Sequence, residues 1–367
     1  MTNELVGTAM FRSLLLSDTP IVDVRAPVEF AEGSIPGSVN LPLLTDDERH
    51  QVGIAYKTLG QEAAVTLGHK LVSGQIREAR LADWKNYLED NPTALVTCFR
   101  GGLRSKISQS WIKEMGIQRP RIEGGFKALR GFLLSELVRL SQRPFLVIAG
   151  MTGSGKTLTV LRSKGLRPTV DLEDLAKHRG SAFGAVDEPQ PSQVDFENRL
   201  TVSLLKEEAR ESSVPLVVED ESRLIGRCSL PDVFFENLRR SDVVLIEEPV
   251  LVRTQVIFDD YIAKLSMENR LNTFERYQAS LNAISKKLGG TRHLEVSQDL
   301  KLAIEKTRSS NDLECHKIWI EKLLVWYYDP LYLQSLKKRN PRIVFQGTRA
   351  EVDQYLSVRS TTPKSSI

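Results

Sequence analysis

The stretch FLVIAGMTGSGKT (145–157) constrains this 367-residue chain more than any other. Gly150, Gly155, Lys156 and Thr157 satisfy G-x-x-x-x-G-K-[ST], with an apolar run before the loop and helix-compatible residues after it. Such a loop, with Gly153 and Ser154 inside it, turns backbone amides toward phosphate oxygens. Lys156 adds a point charge, and Thr157 offers a hydroxyl to Mg²⁺. The motif identifies a phosphate chain and not a nucleotide. Further strands are expected at RPTVDL (167–172), VPLVVED (214–220) and DVVLIEE (242–248), separated by helical patterns. That alternation implies a mostly parallel sheet. From about residue 250 the chain reads as helical, with RIVFQG (342–347) as a last strand and TTPKSSI as a frayed tail.

Two groups of residues are candidates to complete the phosphate site. In LVVEDES the acids Glu219, Asp220 and Glu221 crowd a strand end, and Ser222 and Arg223 follow. One carboxylate is expected at the site and the others in solvent. DLEDLAKHRGSAFG (171–184) puts His178, Arg179 and Ser181 in a glycine-flanked loop, which is either a second anion clamp or a surface turn with scattered charge.

Upstream, PIVDVR (20–25) is an apolar strand, residues 46 to 90 form a helical stretch, and ALVTC (94–98) is a buried strand. SKISQSWIKEMG (105–116) then carries helical apolar spacing. Cys98 therefore stands where a strand meets a helix, in CFRGGLRS. Loop amides and the helix dipole stabilise a thiolate there, and Arg100 and Arg104 do so further if they point inward. C-x5-R-S suits a phosphatase, which would want a histidine where Thr97 stands. It equally suits a cysteine that carries sulfur or selenium. Spacing leaves both open.

Pro144 in SQRP bars helix continuation and marks a boundary. The expected organisation is 1–140, 145–310 and a helical extension over 311–367 packed on the middle segment. Three widely spaced cysteines offer neither a disulfide framework nor a CxxC pair, and five dispersed histidines have no metal-ligand spacing, so no structural zinc is expected and no residue is singled out as a dedicated metal ligand. The N-terminus lacks a basic start followed by an apolar core, and no apolar run reaches the ~18 residues a bilayer requires, so the expectation is a cytoplasmic protein with no membrane partner. Net charge is only +3, but residues 76–145 hold 13 Lys/Arg against 7 Asp/Glu. That bias suits an anionic partner.

IVDVRAPVEF, GSIPGSVNLPL and the CFRGGLRS loop resemble a rhodanese domain. Asp23 and Arg25 are then a structural pair, and Ser34 stands where many rhodaneses carry histidine. The wider order of motifs includes TDDERHQVGIAYKTLGQEAAVTLGHKLV, the phosphate loop, DLEDLAKHRGSAFG, QPSQVDFEN and YYDPLY. From about residue 8 to 355 it resembles the tRNA 2-selenouridine synthases. The resemblance implies an α/β chain with a rhodanese-like domain followed by a P-loop NTPase-like domain, a mostly parallel sheet and a helical C-terminal part. It implies a transferase that converts wobble 2-thiouridine of tRNA to 2-selenouridine by S-geranylation from geranyl diphosphate and then selenium transfer from selenophosphate. No tightly bound cofactor is implied, and Mg²⁺ is admitted. Cys98 would accept selenium, with Arg100 and Arg104 on the phosphate moiety. The loop amides, Lys156 and Thr157 would hold the diphosphate, completed by His178, Arg179 and Arg223. The basic bias and KKRNPR (337–342) would guide the tRNA backbone. The rival function is an ATP-dependent tRNA sulfurtransferase.

Overall fold

The computed structural model describes residues 4–358, without the side chains of Met267 and Leu271; the TTPKSSI tail lies outside the described residues. The chain forms two compact units, Met1–Leu140 with Pro191–Ala209, and Ser141–Gln190 with Arg210–Ile367. Among the described residues no helix is long and apolar enough to cross a membrane.

The first unit holds strands β1 (Leu5–Val6), β2 (Ile21–Asp23), β3 (Ser38–Asn40), β4 (Leu95–Thr97) and β5 (Arg121–Ile122). They make an all-parallel sheet in the order β1-β5-β4-β2-β3. β2 and β4 are the strands that sequence reading expects. All five run only two or three residues; β2 and β4 sit in longer apolar runs, whereas the other three do not, and β3 lies among turn signals. The helical stretch resolves into α1 (Asp46–Leu59), α2 (Gln61–Leu71) and α3 (Gly74–Asp90). Thr45 starts α1 with a capping box: its Oγ1 accepts from Glu48 N at 3.3 Å, and Glu48 accepts from Thr45 N at 2.8 Å. Gly60, at φ +87°, makes the turn into α2. α4 (Leu103–Glu114) and α5 (Gly125–Leu140) follow β4 and β5.

The helix Gln193–Arg210, which lies in the second segment of the sequence, belongs almost entirely to this first unit. Its QPSQVDFEN start holds Ser34. Asp195 accepts from Ser34 N at 2.7 Å and Oγ at 2.8 Å, and Asn198 donates to Ser34 O at 2.6 Å. Glu208 at the far end accepts from Arg12 and Arg139 at 2.9 and 2.7 Å.

Asp23 and Arg25 are both fully buried, and Arg25 Nε donates to Asp23 Oδ2 at 2.8 Å. The guanidinium also donates to Gly33 O at 2.8 Å and lies 3.9 Å over the Phe126 ring. The pair thus ties β2 to the segment behind the Cys98 loop. Arg25→Leu leaves the Asp23 charge buried without a counter-ion, so urea unfolding should show a loss of about 3–5 kcal/mol.

The second unit holds β6 (Phe145–Gly150), β7 (Thr169–Val170), β8 (Leu216–Glu219), β9 (Asp242–Ile246) and β10 (Ile343–Gly347). They form a parallel sheet in the order β10-β9-β6-β8-β7. All six residues of β6 are buried, as a central parallel strand covered on both faces requires. The final helix, Arg349–Ser357, lies beside Lys156–Ser163: Thr159 Oγ1 donates to Asp353 at 2.8 Å, and Val352 and Leu356 pack with Val160 and Ile148. The helical stretch between β9 and β10 has its own core around Phe258, Phe274, Tyr277, Trp319 and Leu323. Cys315 lies in that core and Cys228 is buried elsewhere in the same unit; burial raises both thiols, which suits packing rather than chemistry.

Candidate active sites

In the first unit, β4 delivers Cys98 to a loop whose backbone leaves no room for larger residues. A Cβ on Gly125 would stand 2.2 Å from Cys98 O, and one on Gly101 would stand 2.9 Å from Gly124 N. Both glycines have positive φ. Phe126 N donates to Cys98 O at 2.9 Å and Lys127 N to Phe99 O at 2.9 Å, so the start of α5 clamps the loop from behind. The Cys98 thiol is buried and donates to Ser105 Oγ at 3.3 Å, which donates in turn to Gly102 O at 3.1 Å. Arg104 is committed to Glu29 at 3.0 Å, and although burial works against its charge, that carboxylate holds the guanidinium pKa above the usual value. Arg100 is exposed, 5.7 Å over the Phe99 ring.

The local basic excess is offset by acids from outside its window. Arg80 pairs with Glu48, Arg104 with Glu29, Arg130 with Glu197 and Arg139 with Glu208. KKRNPR also departs from an exposed run. Arg339 is buried, donating to Asp220 at 2.7 Å and to Leu238 O at 2.6 Å.

In the second unit, Gly150–Thr157 rims a cleft of about 740 Å³. Gly153 and Gly155 have φ of +81° and +83°; a Cβ on Gly153 would meet Arg253 O at 2.7 Å, and one on Gly155 would meet the Arg349 guanidinium at 2.8 Å. Ser154 is buried inside the turn. Lys156 Nζ donates to Gly150 O at 3.0 Å. Asp329, from YYDPLY, pairs with Arg253 at 2.7 Å, and Arg253 donates to Thr152 O at 3.2 Å, so that motif braces the loop.

Thr157 Oγ1 lies 2.8 Å from Glu219 Oε2 and 3.0 Å from Glu173 Oε2. One hydroxyl proton cannot serve two carboxylates, so one of them carries a proton whenever both bonds form. Glu219 is fully buried, and Oε1 has no hydrogen-bond partner among the described residues. Burial pushes its pKa well up, and neighbouring Glu173 and Glu221 push it further. Glu221 is pushed up to about 8 by burial and then by Glu173. The three offer oxygens within 4.8 Å of one another, a set able to hold a cation.

This corrects the expectation that only one acid of LVVEDES leaves solvent. Glu219 and Glu221 are buried, and Asp220 is paired with Arg339 and Arg239. His178, Arg179 and Ser222 line the cleft. His178 is pushed down by burial, and Nδ1 has no partner among the described residues. Arg179 donates to Asp260 O at 2.8 Å and lies over Tyr261. Arg223 does not join them: it is exposed, paired with Asp232 and absent from the cleft wall. Sequence reasoning missed Glu173, although DLEDLAK places it on the helix after β7. It also missed Tyr261, which has no motif of its own, and gave no site role to Tyr328 and Tyr332 of YYDPLY; all three reach the cleft from the distant helical stretch.

A cysteine loop at a strand end in one unit and a G-x-x-x-x-G-K-T loop in the other are features of a group-transfer protein. Residues 10–131 match the rhodanese-like domain model, and residues 143–362 match the model of the tRNA 2-selenouridine synthase AAA domain. The chain is 45% identical to a tRNA 2-selenouridine synthase of Nitrosomonas europaea, covering 98% of this chain and 100% of that one. It is 49% identical to one of Bdellovibrio bacteriovorus, covering 97% and 99%. The chain belongs to the tRNA 2-selenouridine synthase family, whose members are tRNA-modifying transferases.

Proposed function

We propose that this chain converts wobble 2-thiouridine of tRNA to 2-selenouridine in two steps, one at each centre. In the first, the thione sulfur attacks C1 of geranyl diphosphate and pyrophosphate leaves. In the second, selenophosphate supplies selenium and releases phosphate, while the carbon–sulfur bond to the base breaks and geranyl thiolate departs. Alkylation is what makes the sulfur a competent leaving group.

The observation that carries the prenyl donor is the wall that the phosphate-loop cleft, of about 740 Å³, shares with a small recess of about 30 Å³, which has room for the end of a chain and not for its whole length. Thr152, Ser181, Ile257, Tyr261 and Tyr328 line both spaces, and Phe183, Trp319 and Leu323 line the recess. Ile257, Phe183, Leu323 and the ring faces of Tyr261 and Tyr328 suit a hydrocarbon chain. Lys156 and the loop amides would take the diphosphate and its developing charge. Carboxylates outnumber cations on the cleft wall, so a diphosphate needs a further positive charge. Thr157, Glu173, Glu219 and Glu221 fit Mg²⁺, with the unpartnered buried oxygen of Glu219 as the open ligand. Mg²⁺ would supply charge neutralisation of the departing pyrophosphate. Cys98 and its loop would handle selenophosphate.

The test is incubation of the full chain with thiolated tRNA, geranyl diphosphate and Mg²⁺ without ATP. The RNA should gain the mass of one geranyl group. No gain, together with tRNA-stimulated ATP turnover, would favour the ATP-dependent sulfurtransferase instead.

A further inference from the structure

The segment TDDERHQVGIAYKTLGQEAAVTLGHKLV has no part in the two-centre scheme, yet it builds a cavity beside one of them. α1 and α2 stand against α4, the helix that starts in the Cys98 loop, and between them lies a pocket of about 320 Å³. Val52 of α1, Ala64 and Val65 of α2, and Leu103, Ile107 and Trp111 of α4 line it. The α4 residues are spaced i, i+4, i+8 and so share one face.

The wall carries no acidic group, lysine or arginine; its polar members are Gln61, His69 and Tyr56. Its volume is at the low end of the ~300–1,000 Å³ typical of small-molecule sites. Leu103 is 44% exposed and Tyr56 58%, so solvent reaches the pocket. Cys98 packs in the same buried cluster as Leu43, Leu44 and Trp111, three of the pocket's lining residues. Cys98 thus shares a buried core with part of the pocket wall.

We infer that this pocket binds the geranyl chain of the S-alkylated RNA while selenium replaces the sulfur at Cys98. The inference rests on the two-step reading proposed above. A phosphate or an unmodified base finds no charged partner on this wall, whereas a hydrocarbon chain gains by leaving water there. Binding the chain also orders the reaction. Only RNA that has been alkylated presents the group the pocket holds, so unmodified thiouridine is not drawn to Cys98 first.

The test uses the full chain and anticodon stem-loops carrying either S-geranyl- or S-methyl-2-thiouridine, with affinity read by fluorescence anisotropy. The wild-type chain should prefer the geranyl RNA by at least about tenfold, the scale expected for burying a hydrocarbon chain. Ala64→Phe, which fills the pocket, and Tyr56→Glu, which charges an exposed part of its wall, should both bring that preference toward one while methyl-RNA binding stays within about twofold. Tyr56 is far enough from full burial for the second variant to fold even if the first does not. A preference that survives Tyr56→Glu, or a wild-type chain that binds both RNAs equally, overturns the inference. Neither result touches the two-step reading, which the mass gain in the ATP-free incubation decides separately.

Discussion

Cys98→Ala should abolish selenium incorporation and leave S-geranylation of the RNA at its wild-type rate, while Lys156→Ala should do the reverse. Both steps are followed by mass spectrometry, and the selenium step of Lys156→Ala is assayed on RNA already alkylated. The two side chains sit in separate compact units, each after the C-terminal end of a strand of its own parallel sheet. Lys156 Nζ is held at the loop by Gly150 O, with the carboxylate trio close by. Losing a cation aimed at a departing pyrophosphate should slow the first step by about 10²–10³-fold. The surroundings of Cys98 are loop backbone, Ser105 and the core of its own unit. Alanine there removes the sulfur and keeps the fold, because the β-carbon and the small volume are retained. Equal loss of both steps in both variants, with the fold intact, would refute separate centres.

The second large effect is expected from Glu219→Gln and from chelation. Glutamine keeps the volume of this fully buried side chain but withdraws a carboxylate from the trio. Geranylation should fall about 10–100-fold, the range seen when support for a metal site is lost, and EDTA should stop it. Selenium transfer to pre-alkylated RNA should be untouched by either. Acidity gives a second readout. The folded pKa of Glu219 is raised well above the ordinary carboxylate value, and that of Glu221 to about 8. Below pH 8 a cation must therefore displace protons to bind, and its affinity rises with pH through that range. Mg²⁺ should raise the Tm more at pH 8 than at pH 6, and the difference should shrink in Glu219→Gln. Full geranylation by Glu219→Gln in the presence of EDTA would show that the loop holds the diphosphate alone.

The arrangement around the phosphate loop shows how far spacing reaches. G-x-x-x-x-G-K-T is local: the strand, the turn and the helix N-terminus lie within thirteen residues, and their geometry follows from short-range backbone rules. Glu173 and Glu219 meet at Thr157 only because β7 and β8 lie side by side in the sheet. Strand order leaves no trace in the spacing of the acids, so the trio was invisible in the chain. Arg223 shows the opposite error. Its place beside three acids made it a candidate for the anion site, yet the ribbon that follows β8 carries it outward to Asp232.

By itself the sequence determined the chemistry available: a cysteine at a strand end, a phosphate loop, a chain that alternates strands and helices, and an ordered series of motifs shared with one family. Each is a contiguous pattern whose meaning depends on neighbours a few residues away. Tertiary structure alone decided which distant groups those motifs meet. It placed Asp195 and Asn198 on Ser34, buried Arg339 against Asp220, gathered three glutamates at Thr157 and opened an apolar pocket between α1, α2 and α4. The physical reason is the same throughout. Burial, ion pairing and cavity shape depend on which surfaces pack together, and packing joins residues that the order of the chain keeps far apart.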